Sequence, residues 1–210
     1  MVGDYMNSTE LILKMQELYD SRTREEIITN LNIAISLGKL KGLAVDRYNA
    51  LPRVTGKSKH TVMSWFNREN VKIPLISLCI LAHYTGYNIF SFLKIKENCE
   101  MTIGDFLIEN ELCNYPPDSA KFYIKAYDLQ AEVDKETVLN NIEKYYGTTE
   151  EIMAHHSSER QNKIMKICDC KQQTYYAWFN RSRKNVKIPL IPLCKLAYEA
   201  GIDVFDLFRE

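Results

Sequence analysis

Neither sign of charge is in excess, with 27 lysines and arginines against 27 aspartates and glutamates in 210 residues. Bulk basicity therefore lends no support to a nucleic-acid partner, and any such argument must rest on local charge. No apolar run approaches the roughly 18–20 residues of a membrane span, so no membrane partner is expected. The opening residues, MVGDYMNSTE, lack the basic-then-apolar pattern of a secretory leader, and the chain is expected to be cytoplasmic. No stretch alternates with period two for long enough to make a good strand. There is no phosphate-cradling glycine-rich loop, no H-E-x-x-H, and no Ser or Cys nucleophile with a partner signalled by the sequence. An enzyme is therefore not expected.

What is present is a duplication. Hydrophobic residues make up 46% and charged residues 26%, the balance of a globular chain. Trp-Phe-Asn-Arg occurs at 65–68 and again at 178–181, and Val-Lys-Ile-Pro-Leu-Ile at 71–76 and 186–191. Upstream, at an offset of 111, Ser8 meets Ser119, Lys14 meets Lys125, Glu25 meets Glu136 and Asn30 meets Asn141. The offset grows to 113 at the tryptophans and 115 at the Val-Lys-Ile-Pro run, so the second copy has gained two residues on each side of Trp178. The domains expected are a first repeat over 1–94, a connector over 95–117 and a second repeat over 118–210. Cys79 and Cys194 are equivalent positions inside the apolar run Leu-Cys-x-Leu-Ala, which reads as small buried hydrophobes and not as disulfide partners. Cys168, Cys170, His155 and His156 do not make a usual zinc spacing, and the first copy has no equivalent ligands. No metal and no cofactor are expected.

Nearly everything reads as helix. Asn7-Ser8 opens an amphipathic segment to about Tyr19. Thr23 with Glu26 is a capping-box pattern for a second helix, which Gly38 ends. A third helix is expected over Leu43–Val54, with Pro52 awkwardly late in it. Thr55-Gly56 turns the chain, Ser58 caps the helix of Val62, Trp65 and Phe66, and Pro74 starts another that stops at Gly86. A short last helix holds Ile89, Phe90 and Leu93. The second copy repeats this order over 120–131, 135–146, 159–168, 172–181, 189–199 and 203–208, and 102–112 reads as a connecting helix. Trp65 and Trp178 fall on the apolar face and should be core residues, and Tyr175, which takes the place of Val62, should be at least half buried.

The run from Leu51 to Leu93 resembles the phage-repressor (Cro and repressor, lambda-repressor-like) family of helix-turn-helix domains. Gly56, Val62 and Trp65 keep that family's turn and core spacings, and Pro74, Leu78, Leu81 and Ala82 keep its Pro-led helix. The match covers about 45 residues in each copy. Two departures stand out: Asp169 occupies the place of Gly56, and Pro52 and Met165 replace a small residue between the helices. The resemblance implies an all-α fold of two tandem helix-turn-helix domains joined by a helical connector.

The resemblance also implies the site. Base-reading positions would be Lys59, His60 and Ser64, with Met63 nearby, and Gln172, Gln173 and Ala177, with Tyr176 nearby. The glutamines suit adenine edges, Lys59 suits guanine, and Ala177 suits a thymine methyl. Phosphate contacts would come from Lys57, Arg68, Lys72, Lys171, Arg181, Arg183, Lys184 and Lys187. Local charge agrees. Between Arg53 and Lys72 the only acid is Glu69, and between Lys171 and Lys187 there is none. The expected function is a sequence-specific regulator of transcription, of the repressor kind, whose partner is double-stranded DNA. Association with a second copy as a homodimer stays open. The alternative is a protein-interaction module on the same scaffold, an antirepressor or an inhibitor of a nucleic-acid enzyme, which exposed apolar residues such as Met63 and Tyr176 would favour.

Overall fold

Short polar side chains set the helix starts. In the computed structural model, which describes residues 6–37, 47–94, 101–111, 114–148 and 158–209, Asn7 accepts from the Glu10 amide at 2.9 Å. The Asn7 amide donates back to the Glu10 carboxylate at 3.1 Å. This opens α1 (Ser8–Asp20). Thr23 and Glu26 form the expected capping box on α2 (Arg24–Ser36). After α3 (Arg47–Thr55), Ser58 caps α4 (Lys59–Asn67) through the Thr61 amide. Pro74 leads α5 (Leu75–Thr85), which ends on left-handed Gly86. Then follow α6 (Ile89–Leu93), α7 (Ile103–Glu111), α8 (Ser119–Glu132) and α9 (Lys135–Tyr146), the last capped by Asp134. α10 (Ser158–Cys168), α11 (Gln172–Phe179), α12 (Leu190–Glu199) and a 3₁₀ helix (Val204–Phe208) complete the order. Among the described residues the fold is all-α, with no strand.

The sequence duplication recurs in the hydrogen bonds. Asn30, buried on α2, donates to the carbonyls of Phe92 and Lys94 at 3.0 and 2.6 Å. Asn141, its equivalent on α9, donates to Leu207 and Arg209 at 3.2 and 2.7 Å. Tyr19 donates to the Ile73 carbonyl at 2.9 Å, and Gln130 does the same to Ile188 at 3.0 Å. Arg24 reaches the Trp65 carbonyl at 2.8 Å. Lys135 reaches those of Ala177, Asn180 and Arg183 at 3.2, 2.8 and 3.1 Å. In each copy the first residue of the second helix thus ties down the far end of the fourth, where carbonyls have no intrahelical donor.

Contacts divide the chain into two units, Lys14–Ile124 and Met1–Leu13 with Lys125–Glu210. In the first unit α7 packs on α2 and α6. Its buried Phe106 makes edge-on ring contacts with Tyr87 and Phe92 at 5.3 and 5.6 Å. Asn88, the cap of α6, also donates to the Tyr115 carbonyl at 2.9 Å. In the second unit the Ser8 hydroxyl bonds the Asp203 carboxylate, and the Val204 amide donates to the Thr9 hydroxyl at 2.7 Å. The start of α1 thus closes the 3₁₀ helix of the second repeat, and the segment entering α8 closes α6 of the first.

Two expected elements differ in detail. The helix placed at 203–208 is 3₁₀, tightened by a reciprocal cap between Asp203 and Asp206. The one placed over 172–181 stops at Phe179, because Asn180 turns extended and its side chain accepts from the Ser182 amide at 2.9 Å. As expected, Pro52 sits inside α3, where it removes one ladder bond. Gly38, residues 43–46 of the helix expected from Leu43, Cys99, Cys113, His155 and His156 lie outside the described residues.

Candidate nucleic-acid interface

The turn between α3 and α4 is made by Gly56 at φ 67°, a left-handed conformation that costs a glycine nothing. Ser58 then takes extended backbone and accepts from Thr61 at 3.1 Å, starting α4. The apolar face of α4 turns inward, with Val62 at 0% and Trp65 at 1% exposure. Its opposite face holds Lys59 and His60, both exposed, and Met63 at 38% exposure. Lys59 bonds the Asn49 side chain at 3.2 Å. Ser64 is half-buried, and its hydroxyl donates to the Thr61 carbonyl at 2.7 Å, so it points back along its own helix.

The second copy builds the same turn with different chemistry. Asp169 stands at φ 50°, the one described non-glycine residue with positive φ, so its side chain is carried in the left-handed region. Lys171 stands where Ser58 caps α4, and α11 starts without a side-chain cap. Tyr175 is fully buried and stacks at a tilt on Phe179, centroids 4.8 Å apart. Burial pushes its hydroxyl pKa up. Trp178 is buried as well. Gln172 and Gln173 are exposed on the outer face, and Gln172 donates to the Tyr176 hydroxyl at 3.3 Å. Ala177 is half-buried.

The basic residues fall into two groups. Lys57, Arg68, Lys171, Arg183 and Lys184 are exposed. Lys72, Lys187 and Arg181 are held inside their units. The Lys72 ammonium bonds the Tyr19 carbonyl and sits 4.0 Å from the centre of the Tyr19 ring, and desolvation lowers its pKa. Lys187 bonds the carbonyls of Ala131 and Val133. Both lysines cap the C-terminal end of a first helix, where the helix dipole favours a cation. Arg181 is clamped by Glu136, by Glu143 at 2.7 Å and by Asn140 at 3.0 Å.

No family model, curated protein or solved structure matches the chain. The reading of these two surfaces therefore stands on their own chemistry.

Sequence reasoning missed Lys135 and the acids beside Arg181. Lys135 is buried, with its pKa lowered by desolvation first and by Arg183 second. The signal was there: Arg24 and Lys135 are both basic at the offset of 111. In the second unit a cleft of about 470 Å³ lies between the α8–α9 turn and the loop after α11. Its lining mixes the acids Glu132, Asp134 and Glu136 with the bases Lys135, Arg181, Lys184 and Lys187. Among the described residues no group of three or more His, Cys, Asp or Glu side chains is placed to hold a metal ion. No described helix is long and apolar enough to cross a membrane.

Proposed function

We propose that this chain is a sequence-specific double-stranded DNA-binding regulator of transcription, a repressor by its layout, with two tandem helix-turn-helix headpieces of the lambda-repressor-like kind. One observation carries the reading. α4 and α11 each bury an aromatic face, on Trp65 and on Tyr175 with Trp178, and each keeps polar residues exposed at the same N-terminal positions. A helix fixed to its unit by one face and polar at the start of the other is what major-groove reading requires. Lys57, Arg68, Lys171, Arg183 and Lys184 flank these helices as exposed cations, in place to neutralise phosphate. Gln172 and Gln173 offer amides to adenine edges, and Lys59 and His60 offer donors to guanine.

Selection from a random duplex library at stated salt tests this. One recovered motif, with Gln173→Ala weakening its binding by about 1–3 kcal/mol and relaxing preference at one or two base pairs, is the expected result. A second reading, a protein-interaction module, draws on Met63, an apolar side chain 38% exposed on the outer face of α4. Capture of a protein partner, with no duplex enriched in the selection, is the outcome that favours it.

A further inference from the structure

The two repeats differ in electrostatics at an equivalent arginine, although both local sequences are basic. Arg68 and Arg181 are equivalent residues, each ending the Trp-Phe-Asn-Arg run. Arg68 is exposed. Arg181 has its side chain 33% exposed and bonds Glu136 and Glu143 at once, with Asn140 as a third acceptor. The first repeat lacks this clamp. The place of Glu143 is taken by Asn32, and Glu25, in the place of Glu136, pairs with Arg24 at 3.1 Å.

The surroundings differ in the same sense. Ser21 and Thr23 in the first repeat are replaced by Glu132 and Asp134 in the second, and both acids line the cleft that Lys184 also lines. Glu69 in the first loop is replaced by Ser182, Arg183 and Lys184. Of the two bases gained by the second loop, Lys184 thus shares a cleft with the carboxylates gained before α9. A phosphate approaching Arg181 would have to displace two carboxylates from charge-assisted bonds and sit beside others of its own sign.

Resting on the reading of the chain as a DNA binder, we propose that the two equivalent arginines differ at the DNA backbone: exposed Arg68 contacts phosphate, whereas Arg181 does not. In the second repeat Glu136 and Glu143 hold Arg181 off phosphate. This inhibitory contact withholds one arginine from the backbone, while Lys171, Arg183 and Lys184 stay exposed beside α11.

The test is the salt dependence of binding to a fluorescein-labelled duplex of random sequence, measured by anisotropy on the full chain. Each phosphate contact contributes about 0.9 to the slope of log K against log salt. Arg68→Gln should reduce the slope by about that amount, and Arg181→Gln should leave it unchanged. Glu136→Gln with Glu143→Asn should steepen it by about 0.9, one freed arginine. Thermal melts establish that each variant is folded, and if the double variant is not, the comparison of Arg68→Gln with Arg181→Gln decides. Equal losses from those two variants overturn the division of labour while leaving DNA binding intact. A wild-type chain whose binding does not respond to salt overturns the DNA reading itself, and this proposal with it.

Discussion

Replacing Asn30 by Ala removes the side chain that ties α2 to the end of α6 in the first unit. Two carbonyls lose their donor, Phe92 in a buried bond at 3.0 Å and Lys94 in a partly buried one at 2.6 Å. A buried carbonyl left without a partner costs about 1–3 kcal/mol, and the loss of a bond that water can replace costs about 1 kcal/mol. The sum is about 2–4 kcal/mol, a large fraction of the roughly 5–15 kcal/mol that holds a domain together. At roughly 2–4 °C per kcal/mol for a chain of this size, the melting temperature should fall by about 4–16 °C. Asn30→Asp is the sharper probe. It keeps the shape but turns a carboxylate oxygen toward two carbonyl oxygens, so it should destabilise more than Ala. Asn141→Ala should cost about the same, because Asn141 makes the equivalent pair of bonds. Urea unfolding followed by circular dichroism measures all three. An Asn30→Asp variant within about 0.5 kcal/mol of wild type, the scatter of ordinary surface changes, would refute the claim that these bonds hold the unit closed.

Three further outcomes are expected. Gly56→Ala should cost about 1 kcal/mol and Asp169→Gly should gain up to about 1 kcal/mol in thermal unfolding. Both residues hold positive φ, and nothing lies within 4 Å of a methyl at Gly56 to add a steric cost. The Asp134 carboxylate is held below its ordinary pKa, chiefly by the Thr137 amide that it caps. Its contribution to stability is therefore present above the unfolded carboxylate range and lost as pH falls through the lower folded pKa. Melting temperatures measured down the acid limb should show this, and Asp134→Asn should flatten the limb. Cys79 and Cys194, whose thiol pKa values burial pushes up, should stay unlabelled by a maleimide in the native protein. Cys168, pushed up to about 12, should label slowly, and half-buried Cys170 before the other three, with mass spectrometry of the digested chain as the readout.

Much of the architecture follows from the chain read residue by residue, because the forces involved are local or periodic. Caps act over three residues, so Asn7, Thr23 with Glu26, Ser58 and Asp134 announce their helices from sequence. Burial follows the helical period, which places Trp65, Trp178 and Tyr175 inside. The left-handed position repeats as Gly56 and Asp169 because the same turn must be made twice. What tertiary structure alone decided is the electrostatic character of the two surfaces. The stretch from Lys171 to Lys187 contains no acid, yet Glu136 and Glu143 lie against Arg181 from another helix. Lys72 and Lys187, equally basic in sequence, turn to helix-end carbonyls. The start of α1 likewise belongs by its contacts with the second repeat. Charge acts through distance in space, and only the packing of α8 and α9 against the loop after α11 sets those distances.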